Sequence, residues 1–574
     1  MTSETTSDIR QEPLAGSDAA APPLAELATH AVTNQPPPFG PRDLFASDPA
    51  FRDAALRATG AWAEPALAAL GRAAGSDAVR EAGVLANRHP PELVTFDRYG
   101  RRLDEVRFHP SYHALMRLAM EHRIHDVAWA RAAAGEGGGH ALHAALLALF
   151  TQAEAGVMCP ISMTYASVPA LRRQPEVAQA WLDRLIGGRY DPVLRPASEK
   201  AGVTLGMAMT EKQGGSDVRA NATRAEPAGA GGPSADYRLT GHKWFCSAPM
   251  SDAFLTLAVA PGGLSCLLVP RVLPDGTRNA IHVMRLKDKL GNRSNASSEI
   301  EYHGAHAVLI GAEGEGVRTI IEMVHGTRLD TVFGSLGIMR AALAQAHHHV
   351  RHRRAFQRTL IDQPAMRGVI ADLQLDYEAA AALAFRVAQA FDASGESERA
   401  FARLGVALAK YQLNKRAPGF VAECLECLGG GGYVEESDLP RLYREAPLNG
   451  IWEGSGNVIA LDVLRTLARA PDAMAALETE LAAATGADRR LDAAIRALPG
   501  ELRAAADDEG AARRTCERIA LTLQGALLVR HAPPATADAF CAARLAGDGG
   551  RAYGTLPGAT DIAAVAARVT DGDA

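Results

Sequence analysis

The sequence has no apolar run long enough to cross a membrane. Its most apolar stretch, residues 144–161, is interrupted by Gln152 and Glu154, whereas a transmembrane helix needs about 20 mostly apolar residues. The first forty residues are rich in Ala, Pro, Ser and Thr, and they lack the basic start and apolar centre of a secretory signal. We therefore expect a cytoplasmic protein in which residues 1–40 are disordered or extended.

Cysteine is scarce as well. Seven cysteines are scattered along 574 residues, and an odd, scattered set favours a reducing compartment over a disulfide framework. Cys424 and Cys427 form a single C-x-x-C motif without a second pair. We interpret them as buried packing residues rather than as metal or redox ligands.

Positive charge is not in excess. The chain has 60 basic and 66 acidic residues, which gives a formal net charge of −6. The overall charge therefore gives no support to nucleic-acid binding, and a surface of that kind must be a local patch.

What the sequence does contain is a succession of segments with different periodicity. Helical spacing of Ala and Leu runs through residues 41–201, short β-rich runs with Gly/Pro turns occupy residues 202–312, and long helical patterns return over residues 313–468. A last Ala/Leu/Arg-rich helical section covers residues 469–574. This order predicts an α+β protein with a helical domain on either side of a β domain, followed by an extra helical domain.

Individual elements are predicted within these sections. The predicted strands are 254–260, 264–270 and 298–302, and the predicted helices are 53–71, 140–155, 316–344, 366–393 and 400–427. Residues 87–110 hold paired prolines and many charges, so we expect them to be irregular.

Three segments carry residue types suited to a cofactor site. Residues 209–217 combine two glycines, which permit close backbone approach, with the hydroxyls of Thr210 and Ser216. In residues 241–247, Phe245 and Ser247 are two positions apart and share a face if the segment is a strand. Residues 444–457 place Glu453 among small residues. A surface turn explains the first segment equally well, and an ordinary half-buried strand is the simpler interpretation of the second.

In order along the chain, these segments resemble motifs of the acyl-CoA dehydrogenase superfamily. The matches are 210–217 to T-E-x-x-x-G-S-D, 289–294 to K-L-G-x-R-S, 353–356 to R-x-x-F, 428–433 to G-G-x-G-Y and 451–455 to I-Y-E-G-T, together with the aromatic and hydroxyl of 241–247. Residues 87–110 and the extra C-terminal section resemble the AidB-like branch, flavoproteins of the bacterial response to DNA alkylation.

The resemblance implies an acyl-CoA dehydrogenase-like fold, with a β-barrel or sandwich in the middle and a four-helix bundle after it. It also implies an FAD cofactor. The positions carried over to the flavin site are Met207, Met209, Thr210, Gly215, Ser216, Phe245, Ser247, Arg353, Phe356, Gly429, Gly430, Ile451, Glu453, Gly454, Ser455 and Asn457.

The resemblance further implies a homo-oligomer, because Arg353 and Phe356 would reach the FAD of a neighbouring subunit. A tetramer is the expected form, and a dimer is the alternative. The chain departs from the family pattern at Ala355, Gln357 and Glu426. These departures leave the contacts to the adenine and the pyrophosphate open.

The resemblance assigns Glu453 the role of catalytic base, which takes the α-proton of an acyl-CoA while the β-hydride passes to N5 of the flavin. An apolar setting would raise the pKa of this carboxyl, as such a base requires. Some branches place the base just before the arginine equivalent to Arg328, where this chain has Thr327. Thr327, Arg328 and Arg465 are assigned to the substrate cleft, and Glu445 to a structural role.

The DNA association of the AidB-like branch depends here on arginines of the last section. From Arg465 onward the chain has thirteen arginines, no lysine and fifteen acidic residues, whereas phosphate binding needs a positive face. The candidate DNA-binding residues are Arg489, Arg490, Arg496, Arg503, Arg513, Arg514 and Arg518. A solvated, salt-bridged surface explains them equally well.

His348 and His352 are four residues apart on a predicted helix, a spacing compatible with zinc, but no third ligand is evident. We expect a helix surface near a subunit interface and no metal.

Two functions remain. We favour an AidB-like flavoprotein with modest acyl-CoA dehydrogenase activity and a role in the response to DNA alkylation. The alternative is a non-catalytic or detoxifying flavoprotein that binds and protects duplex DNA.

Overall fold

The computed structural model describes residues 29–505 and 508–570. Of the predicted disordered or extended segment, residues 29–40 run as coil, and the rest lies outside the described residues. The order of a helical section, a β-barrel, a helical section and further C-terminal helices is confirmed.

Eight helices form most of the first section. They are α1 (Pro49–Thr59), α2 (Glu64–Ala74), α3 (Asp77–Arg88), α4 (Pro110–Glu121), α5 (Val127–Ala133), α6 (Gly139–Thr151), α7 (Met158–Arg172) and α8 (Pro175–Leu185). The helix predicted over residues 53–71 is in fact two, because Gly60 adopts a φ of +95° at the end of α1.

Residues 87–110 were wrongly predicted to be irregular. They contain an antiparallel hairpin of β1 (Glu92–Phe96) and β2 (Arg102–Arg107). The prolines lie outside both strands. The carboxylate of Asp97 accepts the backbone N–H groups of Tyr99 and Arg101, which forms the turn.

The β section closes into a barrel. Its strands are β3 (Leu205–Ala208), β4 (Arg224–Pro227), β5 (Asp236–Ser247), β6 (Ala253–Ala260), β7 (Gly263–Pro270), β8 (Ile281–Leu286) and β9 (Ser297–Ile310). The ring runs β6–β4–β5–β9–β7 and back to β6, while β3 pairs with β6 and β8 pairs with β9. Tyr237, Phe254, Leu267 and Tyr302 fill the interior.

Long helices follow the barrel. They are α9 (Gly316–His352), α10 (Pro364–Asp392), α11 (Glu396–Cys427), α12 (Gly430–Tyr433), α13 (Leu439–Glu445) and α14 (Gly456–Arg469). A small hairpin of β10 (Arg354–Ala355) and β11 (Arg358–Thr359) joins α9 to α10. Cys424 and Cys427 on α11 are both buried, as predicted.

The last section packs onto these helices. It comprises α15 (Pro471–Ala482), α16 (Arg489–Ala505), α17 (Ala512–His531), α18 (Pro534–Phe540) and α19 (Ile562–Ala566). Arg544 forms ion pairs with Asp372 and Asp376 of α10, and Arg568 pairs with Glu378 at 2.7 Å. Across residues 29–505 and 508–570, no helix is long and apolar enough to span a membrane, and no group of three His, Cys, Asp or Glu side chains is placed to hold a metal.

Candidate active site

The loop between α13 and α14 carries Glu453 in a strained conformation. After a 3-10 turn at Leu448–Gly450, Glu453 adopts a φ of +56° and Gly454 a φ of +105°. A residue with a Cβ in the left-handed region costs about 1–2 kcal/mol. This conformation persists only where neighbouring groups hold it.

Two buried cations hold the loop by its carbonyl oxygens. Lys410 Nζ donates to the carbonyls of Asn449 and Trp452, both at 2.8 Å, and Arg328 Nε donates to the Glu453 carbonyl at 3.1 Å. At the end of a helical turn, carbonyl oxygens lack hydrogen-bond partners within the helix. Here Lys410 and Arg328 donate hydrogen bonds to those oxygens. Arg328 is itself fixed, because its Nη1 donates to Asp462 at 3.0 Å.

The carboxyl group of Glu453 is left incompletely bonded. Its Oε2 is buried and has no hydrogen-bond partner among the described residues. Burial raises the pKa of Glu453, and the Thr327 hydroxyl, Lys410 and Arg328 oppose that shift. An unsatisfied carboxylate oxygen with a raised pKa can accept a proton from a ligand.

Lys410 was not singled out in the sequence, although it is 2% exposed and adjoins the catalytic loop. Burial lowers its pKa to about 7, while the charge of Glu453 acts in the opposite direction. The sequence does contain a signal for this buried lysine. Lys410 is the only charged residue in the otherwise apolar stretch 404–411 of α11.

The loop at residues 209–217 is anchored to the barrel by a buried ion pair. Glu211 Oε1 lies 2.8 Å from Lys243 Nζ, and both side chains are fully buried. Burial raises the pKa of Glu211, but the N–H of Ala222 and Lys243 outweigh it and bring the pKa to about 2. The backbone N–H of Trp244 donates to the Thr210 carbonyl at 2.8 Å, so the loop is bound to β5.

The first group of predicted flavin residues converges near Glu453. Met207, Met209 and Trp452 pack at the edge of one apolar cluster. The pKa of Cys159 on α7 is raised to about 12, chiefly by burial; the charge of Glu453 acts in the same direction, while Lys289 and the Ser247 hydroxyl oppose the shift. The ends of β3 and β5 therefore lie next to the Glu453 loop.

Glycine and exposed apolar side chains border this region. A Cβ at Gly215 would lie 2.4 Å from Thr210 Oγ1, so the loop needs glycine there. Phe245 is 48% and Ile451 is 64% exposed. Ser216, Ser455 and Asn457 are also exposed.

The second group of predicted flavin residues lies at other helix ends. Phe356 occupies the β10–β11 turn with a φ of +50° and is 90% exposed. Arg353 Nη1 donates to the Asn34 carbonyl at 2.6 Å. Gly429, with a φ of +58°, and Gly430 have open space around the position of an added Cβ.

The predicted substrate-cleft residues are not alike. Thr327 and Arg328 are buried against the Glu453 loop. Arg465 is exposed on α14, one turn beyond Asp462. Glu445 accepts the N–H of Asn292 at 2.7 Å, and burial raises its pKa to about 7.

The predicted DNA-binding arginines divide into two groups. Arg490 pairs with Asp488 and Asp538, Arg518 lies 3.5 Å from Glu501, and Arg513 donates to the Tyr411 hydroxyl. The other four are exposed and form no ion pair with a described side chain: Arg489, Arg496, Arg503 and Arg514.

Comparisons with known proteins agree with this architecture. Residues 34–192 match the family described as the adaptive response protein AidB N-terminal domain, residues 206–305 the acyl-CoA dehydrogenase middle domain, and residues 314–468 the acyl-CoA dehydrogenase C-terminal domain. AidB of Escherichia coli (strain K12) is 46% identical over 524 residues, which is 91% of this chain and 95% of that protein.

The chain belongs to the acyl-CoA dehydrogenase family. Within that family it is AidB-like.

Solved structures of the family share the fold. Caenorhabditis elegans ACDH-11 in complex with C11-CoA aligns with a TM-score of 0.80 and 27% identity, over 95% of this chain and 93% of that one. A Bacillus anthracis acyl-CoA dehydrogenase complexed with FAD aligns with a TM-score of 0.62 and 17% identity, over 76% of this chain and 77% of that one. At 17% identity the second likeness concerns the fold alone.

Proposed function

We propose that this AidB-like protein is an FAD-dependent acyl-CoA dehydrogenase-type oxidoreductase with modest activity and a role in the response to DNA alkylation. The observation that supports it most is the unpartnered Oε2 of Glu453, beside the loops at the ends of β3 and β5. The family membership and the acyl-CoA bound to ACDH-11 favour a thioester substrate.

The residues present fit an FAD. Its ring would lie against Met207, Met209 and Phe245, with the Ser247 hydroxyl at the edge of the ring. The ribityl side of the cofactor would lie along Thr210, Gly215 and Ser216. Further contacts would come from the Glu453 loop and the start of α14: Ile451, Gly454, Ser455 and Asn457. The exposed apolar area of Phe245 and Ile451 fits a planar ring that covers it. When bound, this cofactor supplies an acceptor for the hydride at its N5 atom.

The chain's own residues perform the acid–base part. Glu453 takes the α-proton of the acyl group onto Oε2, since no donor in the described part of the chain occupies that atom. Burial raises its pKa and so strengthens the carboxylate as a base. Arg328 and Lys410 fix the loop so that the carboxylate keeps its direction.

Replacement of Glu453 by Gln tests this function. The FAD-loaded protein is mixed anaerobically with short and branched acyl-CoAs, and the loss of flavin absorbance is followed in a stopped-flow instrument. We expect Glu453→Gln to slow bleaching by roughly 10²- to 10⁴-fold, the contribution of a general base. The control is Glu445→Gln, a buried carboxyl that contacts Asn292 instead. Equal bleaching in wild type and Glu453→Gln would refute the assignment.

The homo-oligomer is part of the proposal. Phe356 is a large apolar side chain on a strained, exposed turn, which is typical of a contact surface. We infer a tetramer in which Arg353, Phe356, Gly429 and Gly430 complete the flavin site of a neighbouring subunit. Light scattering of Phe356→Asp should show smaller assemblies with less bound FAD. An unchanged mass and flavin content would contradict this part.

Duplex DNA is the second candidate ligand, and it is favoured by the spacing of three arginines. Arg489, Arg496 and Arg503 are seven residues apart on α16, so they share one face at intervals of about 10 Å. Each is exposed. A flavoprotein that protects DNA without catalysis would need such a surface.

The salt dependence of duplex binding tests this candidate. If the three arginines contact phosphates, their combined replacement by Gln should reduce the slope of log K against log salt by about 3. The matched control replaces Arg318, Arg238 and Arg351, which are exposed outside the last section. The same slope in both triple variants would exclude α16 as the DNA surface.

A further inference from the structure

A cavity lies away from the Glu453 loop, at one end of the β-barrel. Its volume is about 300 Å³. Phe254, Val283 and Ile300, which point into the barrel, form its apolar floor. The β1–β2 hairpin and the segment after β7 form its rim. No residue of α9, α11 or the Glu453 loop lines it.

Arg271 is the unusual member of the rim. It follows β7 directly and lines both this cavity and a neighbouring one of about 60 Å³. Its guanidinium makes no hydrogen bond and no ion pair with any residue in 29–505 or 508–570, and the side chain is half-buried. Burial lowers the pKa of Arg271, and the charge of Asp252 opposes that shift.

The acidic side chains near Arg271 are paired with other cations. Asp252 accepts from Lys200 Nζ at 2.6 Å and from the Thr204 N–H at 2.8 Å. Arg102 Nε donates to Asp104 at 2.7 Å, and Arg278 pairs with Glu105 at 2.7 Å. Arg271 is therefore a half-buried cation whose guanidinium bonds to no described residue.

The rim also contains an unused acceptor. Asp104 Oδ1 is buried without a hydrogen-bond partner among the described residues, and Asp104 adopts a φ of +49°. Asn279, by contrast, is fully bonded, since it donates to Pro270 and His306 and accepts from Ala280 and His306. The polar groups left for a ligand are thus the Arg271 guanidinium, one carboxylate oxygen of Asp104 and the His282 imidazole, which stacks on His303 and makes no hydrogen bond with a described residue.

An apolar cavity with a few convergent polar groups is the usual form of a small-molecule site, and barrel mouths are common places for it. A guanidinium binds carboxylates through two parallel hydrogen bonds. At about 30 Å³ for each water-sized unit, 300 Å³ accommodates on the order of ten non-hydrogen atoms.

We propose that this cavity binds a small organic carboxylate with an apolar body, whose carboxylate pairs with Arg271 and whose chain lies on Phe254, Val283 and Ile300. A hydroxyl on the chain would donate to Asp104 Oδ1. The site is independent of the proposed dehydrogenase function, because it shares no residue with the Glu453 loop.

Calorimetry with the FAD-loaded full chain tests the proposal, with octanoate, 3-hydroxyoctanoate, octan-1-ol and inorganic phosphate as probes. We expect octanoate to bind saturably without changing the flavin absorbance, 3-hydroxyoctanoate to bind more tightly, and the alcohol and phosphate to bind at least tenfold more weakly. Phosphate binding as tight as octanoate would overturn the apolar part of the assignment.

Arg271→Met should weaken octanoate at least tenfold, whereas Arg318→Met, an exposed arginine on α9, should leave it unchanged. Because the substitution breaks no hydrogen bond or ion pair with a described residue, ligand-free Arg271→Met should melt no lower than wild type. Ala280→Leu fills the rim with Arg271 retained and should also abolish binding. Unchanged binding in Arg271→Met or in Ala280→Leu, or none in wild type, would overturn the site.

Discussion

Two glutamate–lysine couples lie in different parts of this molecule and differ in one respect. In the barrel, Glu211 and Lys243 are fully buried and in direct contact at 2.8 Å. Near α14, Lys410 is equally buried but donates to two loop carbonyls, and Glu453 keeps Oε2 without a partner. The pKa of Glu211 falls to about 2, whereas that of Glu453 is raised.

The difference shows how one pair of residue types serves two purposes. Direct contact with a cation and backbone N–H groups stabilises the carboxylate and makes it a poor base. At Glu453 the cations Lys410 and Arg328 donate hydrogen bonds to carbonyl oxygens of the loop instead. They position the carboxyl group without a direct hydrogen bond to it. A carboxyl held in this way remains available to a ligand.

Breaking the closed couple should have the largest effect. Lys243→Met leaves Glu211 buried without its cation, and we expect the free energy of unfolding to fall by about 3–5 kcal/mol. Urea denaturation measures this loss. Adding Glu211→Leu removes the stranded charge and should recover most of it. A double variant as unstable as the single one would contradict this account.

A third buried carboxyl, Glu445, extends the comparison to pH. Burial raises its pKa from the ordinary value of 4.5 to about 7, so the folded state binds more protons than the unfolded state between those two values. Stability should therefore fall as pH rises from 4.5 to 7, by roughly 3 kcal/mol at about 1.4 kcal/mol for each pH unit. Glu445→Gln keeps an acceptor for Asn292 and should flatten that slope in thermal unfolding at several pH values.

Removing the cation of the open couple should have a smaller effect. Lys410 lowers the pKa of Glu453, so in Lys410→Met the pH of half-maximal flavin reduction should rise by about one unit. The difference should be greatest below pH 7, since burial lowers the pKa of Lys410 to about 7 and the lysine is neutral above it. Lys415→Met, an exposed lysine on the same helix, is the control and should shift the profile less.

An exposed ion pair with the same N–O distance should contribute least to the free energy of unfolding. Arg52 and Glu64 also lie 2.8 Å apart, but their side chains are 47% and 42% exposed. Glu64→Gln should change the free energy of unfolding by less than about 1 kcal/mol. A loss comparable to that of Lys243→Met would show that distance rather than burial determines the strength of these pairs.

Much of the fold could be predicted from periodicity and turn chemistry. The helices predicted to begin near residues 316, 366 and 400 occur as α9, α10 and α11, because helical spacing sustained over such long segments leaves few alternatives. The hairpin at Glu92–Arg107 was not predicted, because its two strands are only five and six residues long and prolines flank them. The end of α1 at Gly60 was not predicted, because this glycine lies inside a continuous Ala/Leu pattern.

The site was predicted less completely. Glu453, Thr327 and Arg328 were named from the family motif, and the structure brings them together. Asp462 was missed, since it is an ordinary charged residue on a helix until the tertiary contact is known. Lys410 was missed although its isolation in the apolar stretch 404–411 indicates a buried charge; only the tertiary structure shows which carbonyls it binds.

The sequence by itself determined the element order, the family and the identity of the acidic residue, since these depend on local pattern and motif. Only the tertiary structure decided that Glu211 is paired while Glu453 is not, and that Arg271 faces a cavity without an ion pair to a described residue. Burial and pairing arise when residues far apart in the chain meet, and those meetings set the desolvation and the pKa of each group.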